Sequence, residues 1–121
     1  MKTPCRTALL IGVLFLAACK QEDATDRTIG NKEAGRVLIR ELGCGSCHRI
    51  PGIRSARGLV GPPLDAMGRR TVIAGVLENT PEAMIRWLRD PQAVVPGNAM
   101  PDLGLTWDQA ANITAYLYSL D

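Results

Sequence analysis

Aromatic side chains are the scarcest material in this chain of 121 residues: one Phe, two Trp and two Tyr, 4% of the whole. Phe15 falls in an N-terminal apolar run, which leaves Trp87, Trp107, Tyr116 and Tyr118 as the rings available to a core. Such a core is thin, and chains this short often need a staple or a bound group to supply the missing apolar mass. Cysteine is also sparse, with four residues of which Cys5 and Cys19 lie at the N-terminus, so nothing suggests a disulfide scaffold. Histidine is represented by His48 alone, too little for a closed zinc site. No apolar run reaches the ~20 residues of a membrane-spanning helix. An excess of one charge is missing as well: once Lys2 and Arg6 are set aside with the N-terminal segment, 12 basic groups face 12 acidic ones, which argues against nucleic acid as a partner. The length excludes a multidomain enzyme at ~100 to 200 residues per domain, and 46% apolar with 21% charged residues excludes a disordered chain.

What is present begins with an export pattern. Lys2 and Arg6 precede an eleven-residue apolar run, Ala8 to Ala18, the layout of a secretory signal. The run ends in Leu16-Ala17-Ala18-Cys19, which is similar to the lipobox of bacterial lipoproteins, so residues 1–18 are expected to be removed and Cys19 lipidated. Several acyl chains would anchor the protein stably, at ~0.8 kcal/mol per buried methylene. Residues 19–30 are mostly polar and lack helical periodicity, which predicts a flexible tether of at most ~40 Å when fully extended. The expected location is the periplasmic side of a membrane, bound to it and not embedded in it.

The remaining segment, 31–121, is expected to form one domain. Asn31 can cap a helix running to about Leu42, with Ala34, Val37, Leu38 and Leu42 on its apolar side. From Arg49 to Gly68 three Pro and four Gly predict an irregular loop with at most a short turn near Leu64 to Met67. Residues 71 to 77 fit strand or helix equally. Thr80-Pro81-Glu82 starts a helix that stops at Asp90 before Pro91, a second loop spans 90 to 105, and Thr106 with Gln109 forms a capping box opening a helix to about Ser119. Its expected stripe is Ala110, Ile113, Leu117 and Leu120. Three short helices separated by loops this long predict that something other than protein organises the loops.

Cys44-Gly45-Ser46-Cys47-His48 supplies the chemistry. C-x-x-C-H is the pattern of covalent c-type haem attachment: two thiols three residues apart on a short turn reach the two vinyl groups of one porphyrin, and the next residue offers its imidazole to the iron. Such attachment needs an exported thiol pair, in agreement with the signal. A Cys44–Cys47 disulfide would close a tiny loop with little gain, zinc lacks ligands, and a thioredoxin-like pair lacks its βαβ context. An electron carrier needs a sixth iron ligand, and without a second His the soft thioether of Met is the natural one. Met67, Met84 and Met100 are the candidates. Met84, with Ile85 and Leu88 beside it, suits core packing. Met67 lies in the loop after His48, on the expected proximal side. Met100, in a loop bracketed by Pro96 and Pro101, is preferred because its backbone is restricted.

From about Asn31 to Leu120 the chain resembles class I cytochrome c, through Gly35 with Cys44-Gly45-Ser46-Cys47-His48, Gly61-Pro62-Pro63-Leu64, and Trp87-Leu88-Arg89-Asp90-Pro91 with Pro96-Gly97-Asn98-Ala99-Met100. The stretches Leu77 to Glu82 and Met100 to Leu105 look more narrowly like the cytochrome c domain fused to subunit II of some bacterial haem-copper oxidases. The resemblance implies an all-α class I cytochrome c fold around one covalent haem c. It makes Cys44 and Cys47 the thioether anchors, His48 the proximal ligand and Met100 the distal one. It further implies that the Pro62 carbonyl orients His48, Leu64 packs on the haem, Arg69 pairs with a propionate, Trp87 faces the distal side and Asn98 supports Met100. Ile39 stands where the family often has an aromatic, so a smaller, looser contact with the last helix near Tyr116 is expected.

The function expected on these grounds is single-electron transfer in a respiratory chain, between redox proteins such as a quinol-oxidising complex and a terminal oxidase. The haem would be buried among Leu64, Ile85, Trp87, Leu88 and Leu103, and His/Met ligation raises the potential. A haem peroxidase-like enzyme or gas sensor is the alternative; it would need an open distal site. Residues 36 to 70 carry seven Arg against Glu41 and Asp65, whereas residues 71 to 121 carry two Arg against six acids, a dipole that favours oriented docking on a charged partner.

Overall fold

The computed structural model describes residues 29–120. Four α-helices, α1 (Lys32–Glu41), α2 (Pro81–Arg89), α3 (Pro91–Val94) and α4 (Trp107–Tyr118), are joined by long irregular segments with short 3₁₀ turns at Cys44–Ser46 and Met67–Arg69. The only sheet among the described residues is a two-stranded antiparallel hairpin, β1 (Val72–Ile73) with β2 (Leu77–Glu78). It settles the segment that periodicity left open, and at two residues per strand it leaves the fold helical.

The helix boundaries follow from caps. Asn31 accepts from the Ala34 N–H at 2.9 Å and donates its own N–H to Asn112 Oδ1 at 2.7 Å, so the cap that starts α1 also ties it to α4. Thr80 accepts from the Ala83 N–H with Pro81 in the first turn of α2. Asp90 ends α2 and caps α3 through the Ala93 N–H at 2.9 Å, which makes a helical turn of a segment expected to be loop. At α4 the capping box is complete: Gln109 N–H donates to Thr106 Oγ1 at 3.2 Å and Thr106 N–H to Gln109 Oε1 at 2.9 Å.

The two terminal helices make the main packing of the molecule. Where α1 crosses α4, a Cβ at Gly35 would overlap the carbonyl oxygen of Asn112, so only glycine permits this approach. The face of α1 is therefore centred on buried Gly35 and Ile39, and Val37, expected inside, is 44% exposed. Ile39 is 1% exposed, so the contact expected to be loose is closed by backbone approach and needs no ring. Tyr116 is buried beside this interface, but its hydroxyl donates to the Pro51 carbonyl at 2.8 Å, tying α4 to the loop after the cysteine motif. α4 buries Ala110, Ala111, Ile113, Thr114, Ala115, Tyr116 and Leu117, much more than the expected stripe. Small residues allow this, and Thr114, fully buried, turns its hydroxyl back to the Ala110 carbonyl at 2.8 Å. Of the scarce aromatics, Trp107 is 52% exposed and adds little to the core.

Candidate haem site

The cysteine motif is shaped by a single turn. The N–H groups of Cys47 and His48 both donate to the Cys44 carbonyl, at 3.3 and 3.0 Å, and this brings both sulfurs and the imidazole to the wall of one cavity. Cys44 and Cys47 are free thiols, half-buried. Burial pushes the Cys44 thiol above its ordinary value, and a neighbouring Cys47 thiolate would add to that against a backbone hydrogen bond. Nδ1 of His48 lies 2.7 Å from the Pro62 carbonyl oxygen. A carbonyl only accepts, so Nδ1 carries the proton and Nε2 keeps a free lone pair, the state required of a metal ligand. Gly61, whose N–H donates to the Cys47 carbonyl at 2.8 Å, passes so close to the His48 ring that a Cβ there would overlap it.

The cavity has a volume of about 560 Å³, within the roughly 300–1,000 Å³ of cofactor sites. Its lining is largely apolar and comes from widely separated parts of the fold: Leu64 from the loop, Ile73 from the hairpin, Trp87 and Leu88 from α2, Leu103 from the last loop, Ile113 and Leu117 from α4. Ile85, expected at the haem, is buried in the core and does not line it. All three methionines do: Met67 and Met84 are fully buried, whereas Met100 is half-buried.

Met100 is distinguished by how its backbone is held. Its N–H donates to Asn98 Oδ1 at 2.7 Å, while Asn98 Nδ2 donates to the Pro91 and Val95 carbonyls at 2.8 and 2.7 Å. Gln92 completes the frame. Its Nε2 donates to the carbonyls of both Asn98 and Met100 at 3.0 Å, and its Oε1 accepts from the Gly97 N–H at 3.1 Å. Sequence reasoning missed Gln92, because no motif marks it; the only signal is an amide with donors and an acceptor placed just before a Pro-bounded loop.

One site residue moves. Arg69, expected to serve a carboxylate, is exposed and outside the cavity lining, and its neighbour Arg70 lines the cavity instead. The 3₁₀ turn at Met67–Arg69 ends on Arg69, and Arg70 follows it in extended backbone. Arg70 Nη2 is held by the Pro63 and Asp65 carbonyls at 2.6 and 2.9 Å, and it is the one arginine or lysine in the lining. Asn79 braces this turn through donations to the Met67 and Arg70 carbonyls at 2.8 and 2.7 Å, and accepts from the Tyr118 hydroxyl. Burial, with a smaller effect of Glu82, pushes the Tyr118 phenol up to about 12. Among the described residues no cluster of three or more His, Cys, Asp or Glu offers a competing metal site. Cys19 lies outside the described residues.

The family model for cytochrome c matches residues 32–121. The chain belongs to the cytochrome c family. Relatives include cytochrome c oxidase subunit 2 of Alkalihalophilus pseudofirmus, 38% identical over 100 residues that cover 82% of this chain and 28% of that protein. The same-named protein of Bacillus subtilis is 40% identical over 68 residues, covering 54% of this chain and 19% of its own length. Cytochrome c-550 of Nitrobacter winogradskyi is 30% identical over 107 residues, covering 76% and 93%. The chain thus spans less than a third of the oxidase subunits it matches. The cytochrome c family carries haem c covalently, and the site fits it: Cys44 and Cys47 stand as free thiols beside a His48 of the right tautomer, on an apolar cavity with a single guanidinium for the acidic edge. That cofactor supplies the apolar mass that a cytochrome c poor in aromatics lacks.

Proposed function

We propose that this cytochrome c is a single-electron carrier of a respiratory chain, tethered to the periplasmic side of a membrane through an acylated Cys19 and passing electrons towards a terminal oxidase. The observation that carries the reading is the framing of Met100, whose N–H and carbonyl are both fixed in the cavity that His48 also lines. Cys44 and Cys47 would anchor the haem, Nε2 of His48 and the thioether of Met100 would hold its iron, and the Pro62 carbonyl would keep the imidazole oriented. Bound haem would supply one-electron redox chemistry, with no substrate bond made or broken. A thioether ligand favours the ferrous state, and an apolar surround disfavours the extra charge of the ferric one. Leu64, Trp87 and Leu103 provide that surround. The relatives named as oxidase subunits support a terminal oxidase as the partner.

Optical spectra of the purified protein test this reading. Expected are a covalent c-type haem and a low-spin six-coordinate iron that does not take up carbon monoxide. A high-spin protein that binds carbon monoxide readily would point to a peroxidase-like enzyme or a gas sensor. Intact mass tests the tether, which predicts loss of residues 1–18 and acyl groups on Cys19; an unmodified Cys19 would refute it.

A further inference from the structure

The loop that carries Met100 is held to the rest of the molecule by few groups. Pro96 and Pro101 have no N–H to donate, and among the described residues one main-chain bond reaches out of the segment between them, from the Asn98 N–H to the Val95 carbonyl at 3.2 Å. Past Met100 the next tie to a helix is Arg89 Nε on the Leu105 carbonyl at 3.3 Å, and Asp102 Oδ1 satisfies the Gly104 N–H locally. The other bonds that fix residues 97 to 100 come from two amide side chains. Asn98 belongs to the loop and moves with it. Gln92 stands outside, on α3, whose Pro91 is fully buried and whose first turn is capped by Asp90. It grips three residues at once: Nε2 donates to the Asn98 and Met100 carbonyls, both at 3.0 Å, and Oε1 accepts from the Gly97 N–H at 3.1 Å.

We propose that Gln92 is a positioning residue for the sixth iron ligand, setting how firmly Met100 is retained when the protein is oxidised. The proposal rests on the reading of Met100 as that ligand. A thioether is a soft donor and favours ferrous iron, so the ferric state depends most on what the chain does to keep Met100 in place. Swinging the Met100 backbone away from the cavity breaks the Gln92 bonds to both carbonyls together. Gln92 is exposed and outside the cavity lining, so it acts through the backbone and leaves the surroundings of the iron unchanged. The lining holds no lysine and no histidine besides His48, so a released Met100 yields its position to a ligand from solution and not to a nitrogen base of the lining. Holding this loop shut is what separates a closed carrier from an open, ligand-binding site.

Imidazole titration of the haem-loaded, oxidised protein reads this retention, because imidazole competes with Met100 and its binding removes the thioether-to-iron band. Gln92→Ala should keep the band in the absence of imidazole and raise the apparent imidazole affinity about tenfold, ~1.4 kcal/mol, the worth of three exposed hydrogen bonds at the low end of their range. Gln92→Glu keeps the reach and the acceptor for Gly97 but has no N–H for the two carbonyls, and should raise the affinity at least as much. Gln109→Ala is the structural control. It loses the bond from the Thr106 N–H in the capping box of α4, and should lower the urea midpoint without moving the imidazole affinity. Wild-type affinity in either Gln92 variant overturns the proposal, and so does an equal rise in Gln109→Ala, which would make the effect one of general loosening. A wild type without the band, or one whose band survives Met100→Ala, overturns the ligand reading and the proposal with it. A band that Met100→Ala abolishes, while Gln92→Ala titrates like the wild type, overturns the proposal alone.

Discussion

At the scale of the residue, the cavity offers three thioethers, and the choice of Met100 that we propose rests on what holds its backbone. Met67 and Met84 are buried in the core, where a flexible thioether fills space. Met100 has its N–H held by Asn98 and its carbonyl by Gln92, and Asn98 is itself tied to Gln92 and to the Pro91 and Val95 carbonyls. Met100→Ala is expected to abolish the thioether-to-iron charge-transfer band, lower the potential and open the site to small ligands, with covalent haem retained. Met67→Leu and Met84→Leu are expected to be spectrally near silent and to cost less than about 1.5 kcal/mol as volume-conserving swaps. The opposite pattern in oxidised spectra would reassign the ligand. Tyr118 gives a prediction in pH. Its phenol titrates near 10 when unfolded and at about 12 when folded. Between these values the unfolded chain has lost a proton that the folded chain keeps, so the contribution is full below pH 10 and is lost as pH rises towards 12. Urea midpoints should therefore fall across this window, and Tyr118→Phe should fall less steeply. Tyr116, also raised by burial, retains part of the slope in that variant.

At the scale of the element, the caps that begin α1, α2 and α4 were legible, because Asn31, Thr80 and Thr106 act on N–H groups three residues away and need no tertiary partner. Faces were less legible. The apolar count along α1 favoured Val37, whereas the real contact is made by the absence of a side chain at Gly35. Hydrophobic periodicity records what a helix carries and is blind to a residue that matters for being small. Gly35→Ala should force α1 away from Asn112 and cost about 1–3 kcal/mol, as overpacking does, readable as a lowered urea midpoint of the haem-loaded protein. A midpoint equal to that of wild type would show that the crossing tolerates a Cβ. α3 escaped notice because four residues are too few for any period, and Asp90 serves as the end of one helix and the cap of the next.

At the scale of the molecule, a cavity of about 560 Å³ runs through the middle of a domain whose rings are few. Leu64, Ile73, Trp87, Leu88 and Leu117 all turn to it, so the groups that should stabilise the fold face the cofactor. Replacing Cys44→Ala and Cys47→Ala together should abolish covalent haem and, with it, most of the far-UV helical signal. Retention of native helicity without haem would mean that the protein core alone suffices.

What the sequence by itself determined was whatever depends on neighbours along the chain: the haem attachment motif, the helix starts, and a helical fold in which a bound group replaces missing core. Cys44, Cys47 and His48 are legible because one turn sets their spacing, and Met100 is the thioether proposed from sequence because Pro96 and Pro101 bracket it. What only the tertiary structure decided was whatever depends on a partner far along the chain or on a shift of one residue. The turn at Met67–Arg69 brings Arg70 and not Arg69 to the cavity. Gln92 holds a loop six to eight residues ahead, and Gly35 meets Asn112 from the other end of the fold. Register and long-range contact are set by packing against surfaces that local periodicity does not record, and so these residues acquired their roles only once the chain had closed around its cavity.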